Sequence, residues 1–413
     1  MKIQKCKGSR DLLPQDMAQF RYIEELFRSC CLRWGYQEIR TPSLEYLHLF
    51  TSAGTLTPGM LSKVYSFLDW DGWSGERVVL RPEGTIPAAR LYIENLARDR
   101  PAKLFYIENV FSFEETGKES RERWQCGAEL IGSSNPAADV ELIMLASEIL
   151  TRLGMGAVEL HLSHAGLIKA LLQGLRLEPA RQSQMLDSIL NGDTTALKRA
   201  MGTSPQFSDL LPPLFEPTGR TAGFLKNLKA SWGKALPLPE RDINDFITIV
   251  ELLSATRSAF QIDLASGKGF EYYTGVIFQF YLGEQKLAGG GRYNDLIPLL
   301  GGGDIPASGF ALHIDHLMDI LSAGDWRHPE SPSVLVRGEL NTAGWSSACE
   351  VANRLREAGY VAELDQGYRA ASEHKWIVSL GKQNAPFLLT EQASGKSTPA
   401  TSLTEILNML REE

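Results

Sequence analysis

The stretch KLFYIENVFSF (103–113), preceded by RVVLRPEG (77–84) and followed by CGAELIG (126–132), decides the fold class. Aromatic and β-branched residues dominate these segments, which is typical of β-strands. Helical periodicity fits between and after them, at IPAARLYIENLA (86–97) and AADVELIMLASEILTRLG (137–154). Because strands follow one another in runs instead of alternating strictly with helices, the pattern predicts an α+β fold, an antiparallel sheet flanked by helices.

An amphipathic helix and an interrupted strand precede these segments. Residues 16–34 carry apolar side chains at three- and four-residue steps, which predicts a helix, and the glycine that follows ends it. The next segment, YQEIRTPSLEYLHLF (36–50), begins like a strand. Because Pro42 has no amide hydrogen to donate, we expect this strand to lie at a sheet edge or to end there.

The middle of the chain changes character and then returns to strands. Residues 165–256 contain helical runs separated by polar and proline-containing turns, which predicts a helical insertion. Strands resume at FEYYTGVIFQFYLG (270–283) and QKLAGGGRYNDLI (285–297), where we expect the three consecutive glycines to form a turn. The sheet and its insertion are predicted to form one domain over residues 1–325.

A second, smaller domain is predicted at the C-terminal end. The stretch WRHPESPS (326–333) is polar and broken by prolines, as linkers are. Beyond it, strand and helix patterns follow one another closely, which predicts a small α/β domain over residues 331–413.

Composition excludes several classes of protein. The 413 residues carry a formal charge of −8, which argues against broad electrostatic binding of nucleic acid, although a locally basic groove stays open. The N-terminus lacks the apolar stretch of a secretory signal, and nowhere do about 18 apolar residues run together, so we expect a soluble, cytoplasmic protein. Five cysteines without a Cys-x-x-Cys pair predict reduced thiols, and we expect neither a metal site nor a cofactor.

Four groups of segments follow one another in this chain: KGSRDLLP (7–14) with Pro42, LRPEGT (80–85), FYIENVFSFEE…RWQCGAE (105–129), and GFEYYTG (269–275) with AGGGRYNDL (288–296). In the same order they resemble motifs of histidyl-tRNA synthetase, a class II aminoacyl-tRNA synthetase. The counterparts are that family's N-terminus with the dimer-forming motif 1, its substrate strand, its motif 2, and its two histidine-specific motifs. Residues 331–413 resemble the anticodon-binding domain, so the resemblance covers nearly the whole chain and implies a class II synthetase fold.

The resemblance implies a binding site for free histidine. The ammonium of an amino acid needs carboxylate or amide acceptors, and the imidazole needs a polar group at its edge. Taken singly, a buried glutamate is more often a salt-bridge partner, a Tyr-Tyr pair more often strand packing, and a triple glycine more often a turn. Their joint occurrence at the family's positions favours the binding site. The residues that the resemblance assigns to it are Glu83, Thr85, Gln125, Glu129, Lys268, Tyr272 and Tyr273.

The same comparison of motifs predicts that adenylate formation is lost, because that reaction needs cations on the phosphates of ATP. Ser112 stands where the motif 2 arginine belongs, and Lys268 replaces a forked guanidinium with a point charge. The family's Gly-Leu-Glu-Arg corresponds to residues 313–316, so His316, mostly neutral at pH 7, replaces the arginine that lies on ATP. The motif 2 loop (115–123) also looks one residue short and lacks the family's Arg-Pro-Gln.

A pocket that keeps the amino-acid contacts and loses the ATP contacts resembles the regulatory paralogues of this family, which serve the short-form ATP phosphoribosyltransferase in the first step of histidine biosynthesis. The resemblance implies a non-catalytic sensor with L-histidine as its effector. It also implies a homodimer within a hetero-oligomer that contains the short-form catalytic subunit. The alternatives are an active histidine–tRNA ligase and a synthetase-derived RNA-binding or scaffold protein.

The C-terminal domain bears on these alternatives. Residues 331–413 contain eight basic and ten acidic residues, and they offer no basic patch interleaved with aromatic residues for reading RNA bases. We therefore expect a packing or interface module and no tRNA binding, although anticodon domains need not be strongly basic.

Overall fold

The computed structural model divides into two compact units, Met1–Trp326 and Arg327–Glu413. Within the part of the chain that the structure describes, no helix is both long enough and apolar enough to span a bilayer. The described residues are 3–53, 61–69, 75–97, 101–116, 120–174, 178, 181, 185, 195, 221–233, 239–264, 273–323, 333–367, 374–381 and 386–411.

The strands of the first unit form one large and one small sheet. The large sheet has the spatial order β1-β5-β6-β11-β10-β9-β7-β8, and the small sheet has the order β2-β4-β3. In chain order the strands are β1 (Gln37–Glu38), β2 (Leu44–Tyr46), β3 (Ser66–Leu68), β4 (Arg77–Leu80), β5 (Ala102–Phe111), β6 (Glu122–Ile131), β7 (Glu159–His164), β8 (Gln261–Ile262), β9 (Val276–Leu282), β10 (Gln285–Arg292) and β11 (Ala307–His313).

The predicted antiparallel sheet is confirmed for the six central strands, from β5 to β7 in spatial order. The two outermost strands differ, because β1 pairs in parallel with β5 and β8 pairs in parallel with β7. Pro42 lies beyond the end of β1 and before β2, as its missing amide hydrogen predicts. The fold is therefore α+β with a mixed sheet whose centre is antiparallel.

Helices cover both faces of the large sheet. The first helix begins with Pro14, whose fixed φ suits a first turn, and ends before Gly35, whose φ of 80° is left-handed. The helices of the first unit are α1 (Pro14–Arg33), α2 (Leu47–Ser52), α3 (Thr85–Asn95), α4 (Pro136–Arg152), α5 (Ala165–Gly174), α6 (Ala222–Trp232), α7 (Glu240–Ala255), α8 (Leu296–Leu299) and α9 (Ile314–Ala323).

The two faces of the sheet bury different clusters. On one face, α1, α4, α6 and α7 pack apolar side chains such as Phe27 and Phe246 against the strands. On the other face, a smaller cluster from α2, α3 and α8 includes Ile86, Tyr273 and Tyr293. Because successive residues of a strand point to opposite faces, neighbouring positions serve two separate environments. The smaller cluster borders the polar pocket described below.

Two local expectations are wrong. RVVLRPEG was expected to be strand throughout, but β4 ends at Leu80, and α3 begins at Thr85 because Glu83 caps its first turn. The three glycines at 289–291 were expected to form a turn, but they lie inside β10. A Cβ on Gly290 would come within 2.4 Å of the Gly309 carbonyl oxygen and of the Phe278 ring, so close packing between strands requires the glycine.

The segment predicted as a helical insertion, 165–256, contains α5, α6 and α7. Helix α7 buries an apolar stripe that includes Ile243, Phe246 and Val250. Much of the segment between α5 and α6 lies outside the described residues.

The second unit is a small α/β domain. Its five-stranded sheet has the order β13-β12-β14-β15-β16, parallel in its first three strands and antiparallel in the rest. Its core includes Val334, Val378 and Leu355. The elements are β12 (Ser333–Arg337), α10 (Thr342–Glu357), β13 (Val361–Leu364), β14 (Trp376–Leu380), β15 (Phe387–Glu391), β16 (Ser397–Ala400) and α11 (Leu403–Arg411).

Candidate functional site

The candidate site, called the pocket below, is the group of side chains around Glu129, a carboxylate on β6 that is 1% exposed. One of its oxygens accepts a hydrogen bond from the Tyr106 hydroxyl at 3.3 Å, and the other accepts from the Tyr293 hydroxyl. Among the described residues, no cationic side chain forms an ion pair with this carboxylate. Burial is the main reason that the pKa of Glu129 rises to about 8, against the lowering effect of the neighbouring hydroxyl groups.

Two glycines make room for this arrangement. Across the sheet, Gly309 pairs with Glu129, and a Cβ on Gly309 would lie 1.6 Å from a carboxylate oxygen of Glu129. Gly127 pairs with Tyr106, and a Cβ there would lie 2.2 Å from the Tyr106 ring. Both positions therefore require glycine for steric reasons, independent of backbone conformation.

A second carboxylate, Glu83, lies at the start of α3. Its two oxygens accept hydrogen bonds from the backbone N–H groups of Thr85 at 2.7 Å and Ile86 at 2.8 Å, so the side chain caps the helix. Glu83 keeps some access to solvent, yet the protein packed around it removes most of its water and raises its pKa to about 7. The hydroxyl of Thr85 lowers the pKa of both Glu83 and Glu129, which places it between the two carboxylates.

Gln125 completes the polar floor. It lies on β6, four residues before Glu129 and therefore on the same face of the sheet. Its side-chain oxygen accepts a hydrogen bond from the Gly84 N–H at 3.1 Å, which ties β6 to the turn that begins α3. A Cβ on Gly84 would lie 2.3 Å from the Tyr106 ring, so this turn also needs a glycine.

Two tyrosines form the wall opposite α3. Tyr273 is 3% exposed and stacks on Tyr293 with ring centroids 6.5 Å apart, and Tyr293 in turn donates to Glu129. Gly291 lies beneath this wall, because a Cβ there would be 3.1 Å from the Tyr273 ring. The structure thus brings Tyr273 together with the two carboxylates. The predicted site residues Lys268 and Tyr272 lie outside the described residues.

Sequence reasoning missed Tyr106, Tyr293 and Gly309. Tyr106 and Tyr293 hold the carboxylate of Glu129, and Gly309 makes room for it. Period-two alternation on β5 places Tyr106 on the same face as Glu108, and this alternation was a signal that could have indicated a polar face. No local signal points to Gly309, because its importance depends on the register between β11 and β6.

The end of the pocket where the resemblance expects ATP has a different character. Ser112 follows the end of β5, and its N–H donates to the Arg121 carbonyl at 3.0 Å. His313 pairs with Gln125 across β11 and β6, and its ring lies 5.5 Å from that of His316. Burial lowers the pKa of His313 to about 4, and no described partner accepts or donates at its Nδ1. The structure therefore places a neutral imidazole next to Gln125 at the position that corresponds to a glycine of the synthetase motif.

The N-terminal motif holds this end together. Arg10 donates to one oxygen of the Asp315 carboxylate at 2.9 Å, and the Trp124 N–H donates to the other at 2.8 Å. These bonds join residues near the start of the chain to β6 and to α9. The motif thus has a structural role at this end of the sheet.

A buried ion pair on the same face of β5 as Tyr106 offers a contrast. Arg81 and Glu108 are 3% and 2% exposed, and their closest charged atoms are 2.6 Å apart. Thr41 donates to the same carboxylate from its hydroxyl at 2.9 Å, and Arg81 also donates to the Asn109 carbonyl at 2.7 Å. Glu108 thus matches the ordinary interpretation of a buried glutamate, whereas Glu129 does not.

Comparisons with known proteins agree with this geometry. The profile of the histidyl-tRNA synthetase family matches residues 8–317. An ATP phosphoribosyltransferase regulatory subunit from Dehalococcoides mccartyi is 48% identical over 411 residues, which span 100% of this chain and 99% of the relative. A histidine–tRNA ligase from Methanosarcina acetivorans is 36% identical over 327 residues, which span 78% of this chain and 76% of the ligase.

Solved structures agree on the fold. The crystal structure described as an ATP phosphoribosyltransferase regulatory subunit/histidyl-tRNA synthetase from Bacillus halodurans superimposes with a TM-score of 0.78 at 22% identity, covering 93% of this chain and 100% of that one. The class II synthetase fold predicted from the sequence is therefore confirmed. The profile match over most of the chain and the full-length identity of 48% lead to the same assignment. The chain belongs to the histidyl-tRNA synthetase family and, within it, to the ATP phosphoribosyltransferase regulatory subunits.

Proposed function

We propose that this protein senses histidine for an ATP phosphoribosyltransferase and carries out no ligase chemistry of its own. The observation that carries the proposal is Glu129, a buried carboxylate held only by hydroxyl groups among the described residues. Burying an ionised group without a cation is costly, so a ligand that brings a cation or a strong donor gains free energy there.

Free histidine fits the groups around this carboxylate. Its ammonium can donate to Glu83, to Glu129 and to the hydroxyl of Thr85, while Tyr273 and the tyrosine stacked on it enclose the imidazole. Gln125 has donors left for the ligand carboxylate after its oxygen accepts from Gly84. We assign Lys268 and Tyr272 to the same site from the resemblance alone.

The other end of the pocket supports a loss of adenylation. Ser112 offers no charge to a phosphate, and the imidazole of His316 lacks the forked set of donors that an arginine presents. The imidazole of His313 adds a ring beside Gln125 where the synthetase motif has a glycine. Removal of one such transition-state contact typically costs about a hundredfold to a thousandfold in rate. We therefore propose that this chain does not charge tRNA.

Regulation follows if histidine prefers one of two states of the complex with the catalytic subunit. The ligand would join α3, β6 and the segment at Tyr273, elements that come from distant parts of the chain. Such a ligand can shift an equilibrium only by its difference in affinity for the two states, and the coupling must be reciprocal with substrate binding on the partner. The phosphoribosyl transfer itself would take place on the catalytic subunit.

A homodimer is part of the proposal, and the small sheet supports it. Tyr46 and Phe67 flank Val78 across β2, β4 and β3, and they are 42% and 45% exposed. Leu44 and Leu68 add further apolar surface, with exposures of 50% and 53%. Apolar surface concentrated on one small sheet is typical of interfaces between subunits. Leu44 belongs to the segment that resembles the dimer-forming motif 1, and the other three residues extend this surface beyond it.

The deciding experiment is calorimetric titration of the purified protein with L-histidine, and separately with ATP and magnesium. We expect saturable binding of histidine and no binding of ATP. Binding of both ligands, followed by transfer of radiolabelled histidine to tRNA, would favour the ligase and contradict the proposal. Binding of neither ligand, to this chain alone or mixed with the catalytic subunit, would favour a scaffold.

A second experiment tests the partner. The short-form ATP phosphoribosyltransferase catalytic chain from the same organism should gain activity when this protein is added, and L-histidine should then inhibit the mixture. The Glu129→Gln protein is the matched variant, because it should support activity while losing the inhibition. Failure of wild-type protein to bind or activate that chain would contradict the assignment of the partner.

A further inference from the structure

A second cavity lies on the face of the sheet opposite the histidine pocket. Ser308 and Arg292 pair on β11 and β10 and turn towards Asp139 of α4, whereas their neighbours Gly309 and Gly291 face the pocket with Glu129. The cavity encloses about 350 Å³ between the end of β7 and helices α4, α5 and α7. This volume suits one small molecule. We call it the rear cavity.

One charged pair in the rear cavity is already satisfied. Arg292 donates to Asp139 at 2.9 and 3.1 Å, to the carbonyl oxygens of Ser133 and Asn135 at 2.9 and 3.4 Å, and to the Asn294 side chain at 3.4 Å. These bonds use all five donors of a guanidinium. Arg292 therefore has no donor left to recruit an anionic ligand.

His164 is not satisfied. It ends β7, lines the rear cavity and is 2% exposed, yet its Nδ1 has no hydrogen-bond partner among the described residues. Burial lowers its pKa to about 3, so the imidazole is neutral at physiological pH. An unpartnered buried nitrogen destabilises an unliganded protein, and a bound molecule that offers a hydrogen bond would remove that cost.

Asp242 lies beside His164. Its carboxylate presses on Gly166, where a Cβ would be 2.1 Å from the Asp242 oxygen and 3.3 Å from the His164 ring. Among the described residues Asp242 forms no ion pair, whereas its neighbour Asp245 pairs with Arg241 at 3.6 Å. Asp242 lies in the first turn of α7, where the helix dipole favours a carboxylate. The dipole does not explain why the side chain of Asp242 points towards Gly166.

From this geometry we propose that the rear cavity binds a small organic ammonium compound, with the ammonium at Asp242 and a polar atom of the ligand at Nδ1 of His164. Lys169 and Arg241 also line the cavity, but neither forms an ion pair with Asp242 among the described residues. The ligand ammonium supplies that direct partner, and a polar atom of the ligand supplies the partner of His164. Burial and the nearby Asp245 raise the pKa of Asp242 against the lowering effect of Arg241 and Lys169, and a bound ammonium would also lower it.

The rear cavity is connected to the histidine pocket through the backbone. Thr274 and Asn294 line the cavity, and they follow Tyr273 and Tyr293, the two tyrosines of the pocket wall. The Thr274 hydroxyl accepts from the Asn294 N–H at 3.0 Å, so the two segments are joined at this point. If the proposed histidine site is correct, occupation of the rear cavity changes the affinity for histidine, and the reverse.

The test uses cadaverine, a five-carbon diamine, and glutarate, a dianion of the same length, each titrated into the full-length protein by calorimetry. We expect cadaverine to bind saturably and glutarate not to bind. Asp242→Asn and His164→Phe should each weaken cadaverine binding at least tenfold. Glu251→Gln is the matched control, because it removes one charge from an exposed position on the same helix and should leave binding unchanged.

His164→Phe has a second readout, the midpoint of thermal unfolding without ligand. Because the phenyl ring fills similar volume and has no unpartnered nitrogen, the midpoint should stay the same or rise while cadaverine binding is lost. A lower midpoint with unchanged binding would contradict the role of His164.

The Glu129→Gln protein separates this proposal from the histidine site, since cadaverine binding should persist there. Loss of cadaverine binding in Glu129→Gln would mean that the amine occupies the histidine pocket, and the rear-cavity proposal would be wrong. Absence of cadaverine binding to wild type, tighter binding of glutarate, or full binding by Asp242→Asn would each overturn it as well.

Discussion

Two buried glutamates on neighbouring strands, Glu108 and Glu129, have different surroundings. Glu108 is joined to Arg81 by an ion pair of 2.6 Å and also accepts from Thr41. Glu129 is equally buried but is held by tyrosine hydroxyls. The difference teaches that burial of a carboxylate does not by itself indicate a ligand site. The informative feature is a buried carboxylate for which the described part of the chain supplies no cation.

A similar contrast separates the two ends of the pocket. Around Glu129, carboxylate, amide and hydroxyl groups are assembled with supporting glycines, whereas at the other end Ser112 and His316 stand where the resemblance expects arginines.

The largest effect is expected for the ion pair. Glu108→Gln leaves Arg81 buried without its partner, and breaking a buried pair in this way typically costs about 3–5 kcal/mol. Urea unfolding of Glu108→Gln and of Glu129→Gln measures the loss of unfolding free energy. Glu129→Gln is the control, because Glu129 is as deeply buried as Glu108. At pH 5, where the folded wild type keeps this proton and the unfolded chain still holds part of it, that control should unfold at about the same free energy as wild type. Equal losses in the two variants would remove the contrast.

The next effect concerns the ligand. Glu129→Gln should weaken histidine binding about tenfold to a hundredfold, because a charge-assisted hydrogen bond is worth about 1.5–3 kcal/mol. Calorimetric titration measures the affinity, and near-ultraviolet circular dichroism checks that the fold is intact. Histidine binding equal to that of wild type would place the ligand elsewhere.

The third effect depends on pH. Without ligand, burial raises the pKa of Glu129 to about 8 from an ordinary 4.5. Between these values the folded protein keeps a proton that the unfolded chain has released. Stability therefore falls as pH rises, by at most about 1.4 kcal/mol per pH unit, and the loss is complete above the folded pKa.

Unfolding free energies of wild type and Glu129→Gln should be measured from pH 5 to pH 9, and the wild type should become less stable relative to the variant as pH rises. Subtracting one free energy from the other removes the contributions of the histidines, which the two proteins share. Histidine binding near pH 7 should also release protons, which titrations in buffers of different ionisation enthalpy detect. A difference between the two proteins that does not change with pH would contradict the raised pKa.

A smaller effect is expected at the tyrosine wall. Tyr273→Phe keeps the ring that stacks on Tyr293 and removes one hydroxyl, so histidine binding should weaken about threefold to tenfold. Tyr46→Phe is the matched control, because its ring lies on the exposed small sheet. Unchanged affinity in Tyr273→Phe would mean that the hydroxyl does not contact the ligand.

The smallest effect is expected from repair of the ATP end. Ser112→Arg restores one cation but leaves Lys268, His313 and His316 in place, and residues of one catalytic site act together. We therefore expect no charging of tRNA with radiolabelled histidine. Measurable charging by this single variant would show that Ser112 alone had abolished the ligase.

Much of the architecture could be predicted because it depends on local patterns. The apolar spacing of residues 16–34 predicted α1, and the strand runs predicted the antiparallel centre of the large sheet. The glycines at 289–291 were assigned to a turn because glycine is a strong turn signal, but in β10 they are required by neighbouring side chains and strands. Glu83 was placed on a strand because the residues before it have a strand pattern. Its role as a helix cap could not be predicted, since it depends on the Glu83 carboxylate turning back to the N–H groups of Thr85 and Ile86.

The sequence alone established the family and the order of the motifs, because these are properties of residue identity along the chain. Only the tertiary structure decided which glutamate is paired with a cation, that Tyr106 and Tyr293 hold Glu129, and that His313 lies beside Gln125. The physical reason is strand register, which joins residues far apart in the chain and assigns alternate residues to opposite faces of the sheet. As a result, Arg292 and Tyr293, although adjacent in sequence, contact different groups: Arg292 binds Asp139, and Tyr293 binds Glu129.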